Sequence, residues 1–160
     1  MQTITPCLWF DTEAEDAATF YTSLFDDSEI LDVSRYGEGS MRPAGTVMTV
    51  QFRIRGQEFT ALNGGPEFTF SEAISLEIEC TDQDEVDLYW DRLTDGGAEG
   101  PCGWCKDRYG LSWQVVPEGM DDLFADEDPQ RADRAMQAMF GMTKLDAEAL
   151  RRAADGVPAG

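Results

Sequence analysis

The chain has no histidine among its 160 residues. Histidine is the commonest imidazole metal ligand and the one side chain whose ordinary pKa lies near neutrality. Its absence excludes Ser-His-Asp and Cys-His nucleophile systems, and it excludes any histidine-ligated metal site.

Lysine is also scarce, with Lys106 and Lys144 as its two occurrences. The 32 Asp and Glu residues outnumber the 12 Lys and Arg residues, which gives a formal net charge of -20. Such a surface repels phosphate backbones and anionic membranes, so we expect neither nucleic acid nor membrane as a partner. Dense carboxylates also repel one another unless salt screens them. We therefore favour a highly saline cytoplasm as the working environment, with an ordinary acidic protein as the alternative.

Long apolar runs are missing too, and no stretch approaches the ~20 residues that span a bilayer. The first 16 residues lack the basic segment of a secretory leader. With 42% hydrophobic residues, the composition is that of a globular chain. We expect a cytoplasmic protein with a packed core.

The pattern of apolar residues predicts a strand, a helix and three strands, and then the same order again. The first half contains four predicted strands, at 4–10, 29–36, 46–54 and 58–62, and a helix for which Asp11 or Thr12 is the predicted N-cap. In the second half the strands lie at 73–80, 98–102, 104–107 and 111–116, and Thr81 or Asp82 is the predicted N-cap of the helix.

The two predicted helices carry apolar residues at matching places, because Tyr21 aligns with Trp90 and Leu24 with Leu93. A βαβββ unit has one sheet face that it does not bury alone. We therefore predict an α+β fold in which two such modules, 1–70 and 71–120, form a cupped mixed sheet. A helical extension over 121–160 follows, with helices near 129–141 and 145–154. Its methionine-bearing stripe packs on its own domain or serves as an interaction surface.

Several motifs together carry a family resemblance, namely ITPCLWFD at 4–11, LNGGPEFTF at 62–70, AISLEIEC at 73–80, CGW at 102–104 and DRYGLSWQVVP at 107–117. The chain resembles the PhnB-like proteins, often called 3-demethylubiquinone-9 3-methyltransferase-like. They belong to the vicinal oxygen chelate superfamily of glyoxalases, extradiol dioxygenases and bleomycin-resistance proteins. The resemblance implies paired βαβββ modules, a ligand cavity inside the cupped sheet and a homodimer.

The metal-binding members of the superfamily hold their ion with histidine and glutamate, and this sequence departs from that pattern. The resemblance places the corresponding positions near Ile4, at Glu67 and at Gln114. A hard cation needs several oxygen ligands, which this set does not supply. We therefore expect a cavity without metal or other cofactor that binds a small organic molecule. The alternative is a metal-dependent lyase, isomerase or dioxygenase that uses Glu67 and further carboxylates.

The loop 63–67 is the most suggestive polar stretch. Gly64 lets the backbone approach a ligand, while Asn63 and Glu67 offer hydrogen bonds to it. An apolar cup flanked by Phe68 and Phe70 would raise the pKa of Glu67 and make it a general base. The competing interpretation is a linker in which Asn-Gly-Gly serves only the turn.

Aromatic and neighbouring polar residues complete the predicted ligand site. Its predicted contacts beyond the loop 63–67 are Trp9, Phe68, Phe70, Cys102, Trp104, Trp113 and Gln114. Aromatic walls suit planar organic ligands, although a single tryptophan more often packs in a core. Trp90 falls on the apolar stripe of the second helix and is assigned to the core.

Cys102 and Cys105 form a CxxC pair. A thioredoxin-type dithiol begins a helix, which lowers the thiol pKa, whereas this pair precedes a strand-like run. A zinc site would need two more ligands, for which Cys7 and Cys80 are the remaining thiols. Buried, unreactive cysteines in a reducing compartment are the favoured interpretation. Lys106 and Asp107 either border the cavity or solvate a turn.

Overall fold

The computed structural model describes residues 4–157. The chain divides into two compact units, one up to Phe70 and one from Ser71 onward. The outer ends of the predicted domain ranges, residues 1–3 and 158–160, lie outside the described residues. A separate boundary at residue 120 stays a prediction.

The first unit holds one helix and a four-stranded mixed sheet. In chain order its elements are β1 (Cys7–Phe10), α1 (Ala14–Leu24), β2 (Ser28–Arg35), β3 (Val47–Ile54) and β4 (Gln57–Asn63). The strand order is β1-β4-β3-β2, with β1 parallel to β4 and the other neighbours antiparallel. The first strand is shorter than predicted, and Ile4 before it is 96% exposed.

The second unit repeats this topology. Its first five elements are β5 (Ser75–Cys80), α2 (Gln83–Thr94), β6 (Ala98–Glu99), β7 (Trp104–Lys106) and β8 (Ser112–Pro117). The strand order is β5-β8-β7-β6, again with one parallel pair, between β5 and β8. The predicted α+β class and the repeated unit are confirmed.

Strand β6 ends sooner than the predicted range of 98–102. A turn at Pro101 intervenes, because its carbonyl accepts a hydrogen bond from the Trp104 backbone N–H at 3.0 Å. Cys102 and Gly103 have φ angles of 57° and 81° within this turn. A strand does not continue through such left-handed backbone.

The two helices bury the faces that their alignment predicts. Tyr21 and Leu24 of α1 are buried, as are Trp90 and Leu93 of α2. Helix α2 has the predicted cap, because the Asp82 side chain accepts a hydrogen bond from the Glu85 backbone N–H at 2.9 Å. The predicted cap of α1 is wrong: the residue before the helix is Glu13, whose side chain makes no capping hydrogen bond, and the cap comes from Asn63 of β4.

Three helices follow the second sheet within the same compact unit, namely α3 (Met120–Phe124), α4 (Pro129–Met139) and α5 (Ala147–Ala154). The short α3 was not predicted. A small core of Met120, Leu145 and Leu150 joins these helices, and Met139 packs against it. Part of the extension therefore packs on its own unit, whereas Met136 and Phe140 of the predicted stripe are 37% and 62% exposed. No helix within residues 4–157 is long and apolar enough to cross a bilayer.

Candidate functional site

Asn63, the first residue of the predicted binding loop, links three elements of the first unit. Its side-chain Oδ1 accepts a hydrogen bond from the Ala14 backbone N–H at 2.8 Å, and this bond caps α1. Its Nδ2 donates to the Val47 carbonyl at 3.1 Å. Both ends of the amide are used within the fold, so the structure differs from the predicted ligand contact at Asn63.

Gly64 and Gly65 are explained by their contacts with Trp9. A Cβ atom at Gly64 would lie 2.2 Å from the Trp9 ring. The Gly65 carbonyl accepts a hydrogen bond from Trp9 Nε1 at 2.8 Å, and Gly65 has a φ of 121°. These glycines accommodate the indole ring, which supports the structural interpretation of the loop.

Glu67 and the aromatic residues beside it do not form an apolar enclosure within the first unit. The Glu67 side chain is exposed, and Phe68, which meets Trp9 edge to face at 5.0 Å, is 65% exposed. Phe70 packs on Phe10 with a ring separation of 5.3 Å. The prediction of a general base at Glu67 lacks its physical cause, because an exposed carboxylate is not desolvated.

The second sheet presents two different faces. Trp113 and Val115 of β8 are buried together with Cys105 of β7, and their alternation places them on one face. Lys106 pairs with Ser112 across β7 and β8, and both lie on the opposite face. We call this opposite face the polar face. It also carries Ser75, Glu77, Trp104 and Gln114, by register with the same strands.

Trp113 belongs to the core. It is 2% exposed, and its Nε1 donates to Asp107 Oδ2 at 2.8 Å. Asp107 is also buried and accepts hydrogen bonds from the backbone N–H groups of Tyr109 and Leu111. These contacts favour core packing for Trp113, whose ligand contact stays a prediction, and Asp107 organises the turn before β8.

A cleft of about 550 Å³ lies beside the polar face. All the residues that line it belong to the second unit, namely Glu72, Ala98, Glu99, Gly100, Pro101, Trp104, Cys105, Lys106 and Ser112. Of the predicted site residues, the structure brings Trp104 into this cleft. Ligand pockets typically measure roughly 300–1,000 Å³ and combine apolar walls with a few polar groups. The cleft has both properties.

Ser112 is the exceptional residue of this cleft. It is 0% exposed, and within residues 4–157 its Oγ is a buried side-chain atom without a hydrogen-bond partner. Burying an unsatisfied hydroxyl costs roughly 1–3 kcal/mol. Sequence reasoning missed Ser112, because a serine in the strand SWQVVP gives no sign of being unsatisfied. Its buried hydroxyl is a hydrogen-bonding group that a ligand can satisfy.

Lys106 and Glu72 form an ion pair at the same cleft, with 2.6 Å between Lys106 Nζ and Glu72 Oε1. Their side chains are 39% and 65% exposed. The hydrogen bond from Lys106 holds the pKa of Glu72 below its ordinary value. Gln114, a predicted site residue, instead donates to Ser75 Oγ at 3.0 Å on the polar face.

Cys102 and Cys105 form no disulfide. Cys105 is buried, and burial together with the nearby Asp107 carboxylate raises the pKa of its thiol to about 12. Cys102 is half-buried, and its Sγ lies 3.5 Å from the Met139 carbonyl. A thiol with such a raised pKa is a poor nucleophile, so the favoured structural interpretation suits Cys105. No observation supports the predicted ligand contact of Cys102.

The residues present do not fit a metal centre. Within residues 4–157, no three Cys, Asp or Glu side chains come together where they could hold a metal ion. Among the positions implied by the resemblance, Ile4 has no donor side chain, and Gln114, whose Nε2 donates to Ser75, offers a single amide oxygen. A hard cation requires more oxygen ligands than these positions offer.

The repeated module defines the class of protein. The fold is that of the vicinal oxygen chelate superfamily and is shared with the genomically encoded fosfomycin resistance protein FosX from Listeria monocytogenes. The two chains are 13% identical with a TM-score of 0.52, over 76% of this chain and 97% of FosX. A mutant of FosX has been solved with Mn(II) and 1S,2S-dihydroxypropylphosphonic acid. At such low identity, the likeness concerns the fold alone.

Within this class the chain belongs to the family described as 3-demethylubiquinone-9 3-methyltransferase, whose model matches residues 2–116. A putative 3-demethylubiquinone-9 3-methyltransferase from Bacillus cereus, described as a PhnB protein, is 39% identical with a TM-score of 0.65, over 72% of this chain and 99% of its own. A Pseudomonas aeruginosa protein shares the fold at 19% identity and a TM-score of 0.61, over 74% and 98% of the two chains. No curated protein matches the chain.

Proposed function

We propose that the protein binds a small organic molecule, without a metal ion, in the cleft beside the polar face of its second module. The observation that carries this proposal is Ser112, a fully buried hydroxyl without a partner at a cleft of about 550 Å³. Because such a group costs stability in the ligand-free protein, its presence at a cleft favours a binding role.

The lining of the cleft supports an aromatic or amphipathic ligand. Trp104 contributes an indole ring, and Ala98 and Pro101 add apolar surface. At Gly100 the backbone passes close to β7, because a Cβ atom there would lie 2.8 Å from the Trp104 carbonyl oxygen. Planar molecules stack well on such aromatic surface.

The family description mentions methyl transfer, which the described fold does not support. A typical methyl-donor domain has a doubly wound parallel sheet with a glycine-rich turn between its first strand and helix. Here β1 leads into α1 through Asp11, Thr12 and Glu13, and β5 leads into α2 through Thr81 and Asp82. Neither connection has a glycine, so we do not assign methyl transfer to this protein.

The test is a calorimetric titration of chelator-treated, metal-free protein with two simple aromatic probes, 2-naphthoate and 2-naphthamide. Binding of at least one probe to metal-free protein is expected, and Ser112→Ala should weaken it about tenfold, the loss of one to two kcal/mol of hydrogen bonding. Ser34→Ala is the matched control, because Ser34 Oγ is bonded to Thr49 in the other unit.

Three results would reject the proposal. One is that no probe binds. Another is binding that Ser112→Ala leaves unchanged. The third is stoichiometric bound metal by elemental analysis of protein purified without chelator, which would support the metal-dependent lyase, isomerase or dioxygenase instead. The homodimer implied by the resemblance stays a prediction, which light scattering of the purified protein checks.

A further inference from the structure

The groups at the cleft of the second module show what kind of ligand they would accept. We infer that the ligand is an aromatic carboxylate, and that Glu72 occupies the place of its carboxylate on Lys106 until it binds. This inference rests on the proposed function and names the chemical class of molecule that the same cleft takes.

The first observation is the placement of two hydrogen-bond donors. Lys106 and Ser112 are direct cross-strand partners on β7 and β8, on the same face of the sheet. Directly opposed residues on neighbouring strands have Cβ atoms about 5 Å apart. An ammonium carries three donors and a hydroxyl carries one, and a carboxylate accepts from several donors at once. The pair therefore suits the two oxygens of one carboxylate.

The second observation is that a carboxylate of the chain already binds one of these donors. Glu72 comes just before β5, and its Oε1 lies 2.6 Å from Lys106 Nζ. Both side chains are partly exposed, at 65% and 39%, so water and salt screen the pair. Exposed ion pairs of this kind are weak. A ligand carboxylate can thus replace Glu72 at little cost.

The burial of Ser112 means that a side chain must move when the ligand carboxylate replaces Glu72. Because Ser112 is 0% exposed, a ligand reaches its hydroxyl only when a neighbouring side chain moves. Lys106 is its neighbour in register and has a long, flexible stem. When Lys106 turns from Glu72 to the ligand, the Ser112 hydroxyl gains the partner that it lacks in the free protein.

The sign of the ligand charge follows from the groups next to the unsatisfied hydroxyl. Ser112 Oγ is the buried side-chain atom without a partner within residues 4–157, and its direct cross-strand partner is the cationic Lys106. The cleft also contains the carboxylates of Glu72 and Glu99, which accept from Lys106 and from Trp90 Nε1 and keep further lone pairs. The preference for an anion therefore rests on the Lys106 and Ser112 pair. The net charge of -20 repels anions at long range, but this repulsion is screened over roughly 10 Å at 0.1 M salt, whereas the donors act in contact.

The experiment compares three naphthalene probes of similar shape by calorimetry at 0.15 M salt: 2-naphthoate, 2-naphthamide and the cationic 2-naphthylmethylamine. We expect wild-type protein to bind the carboxylate at least about tenfold tighter than the amide, because charge-assisted hydrogen bonds are the stronger ones. The amine should bind weakest. Glu72→Gln should tighten naphthoate binding by about two- to fivefold and leave the amide unchanged, since it removes the competing carboxylate.

Lys106→Met should reduce the preference for the carboxylate to about twofold or less, since the charged donor is lost. An ion pair of α5 supplies matched controls. Arg152 pairs with Glu148 at 3.6 Å in the same unit, and neither residue lines the cleft. Arg152→Met and Glu148→Gln should leave all three affinities unchanged. If Lys106→Met fails to fold in a thermal scan, the Glu72→Gln result decides.

The results separate this inference from the proposed function. If the amide or the amine binds as tightly as the carboxylate, and Ser112→Ala weakens it, the inference is overturned and the proposed function stands. An unchanged naphthoate affinity in Glu72→Gln also overturns the inference. If none of the probes binds, both are rejected.

Discussion

Replacing Ser112 with alanine should stabilise the ligand-free protein, which is unusual for a change at a fully buried residue. The Ser112 hydroxyl is 0% exposed and has no hydrogen-bond partner within residues 4–157. Removing a buried, unsatisfied hydroxyl recovers its desolvation cost of about 1–3 kcal/mol. Since one oxygen is lost and the Cβ atom stays, the cavity that remains is small. We expect the free energy of unfolding to rise by about 1–2 kcal/mol.

The measurement is urea denaturation followed by tryptophan fluorescence, for wild-type protein and for Ser112→Ala. A change of this size corresponds to a rise in Tm of about 2–8 °C for a chain of this length. Ser34→Ala is a control that should change the stability in the opposite direction, because it removes the hydrogen bond of 2.6 Å between Ser34 Oγ and Thr49 Oγ1. It should lower the free energy of unfolding by about 1 kcal/mol. If Ser112→Ala destabilises the protein by as much, the Ser112 hydroxyl has a partner and the argument for the site is refuted.

Three further predictions concern stability and reactivity. Thermal unfolding in 2 M KCl should occur at a clearly higher temperature than in 0.05 M KCl, because salt screens the net charge of -20. Equal unfolding temperatures at the two salt concentrations would contradict the hypothesis of a saline cytoplasm. Asn63→Ala should lower the free energy of unfolding by about 2–4 kcal/mol in urea, since it leaves the Ala14 N–H and the Val47 carbonyl unpaired. Asn63→Asp, which keeps the acceptor for Ala14, should lose less, and equal losses would contradict the cap. Iodoacetamide should leave Cys105 of the native protein unmodified at pH 8, because a thiol pKa of about 12 leaves little thiolate at that pH. Peptide mass spectrometry measures the modification, and rapid alkylation of Cys105 would contradict its burial.

The repeated module could be predicted because it depends on local patterns. The matching apolar positions, such as Tyr21 with Trp90, mark two helices that bury equivalent faces. The alternation of buried and exposed residues in β5 and the Asp82 cap of α2 are local features too, and the structure has both where the sequence predicts them. These signals need no knowledge of distant contacts.

The candidate site depends on contacts that the local pattern does not contain. Asn63 caps a helix from 49 positions away along the chain, so the local sequence does not show that both ends of its side chain are bonded within the fold. The burial of Trp113 could not be predicted, because alternation does not show which face of β8 packs inward. Ser112 was missed because an unsatisfied hydroxyl is recognised only when all its neighbours are known.

The most direct test of the central claim is a crystal structure of chelator-treated, metal-free protein soaked with 2-naphthoate. We expect the naphthalene ring to lie beside Trp104, with a carboxylate oxygen within hydrogen-bond distance of Ser112 Oγ. A cleft that contains only water, or a probe that appears only after a divalent metal is added, would contradict metal-free binding in this cleft.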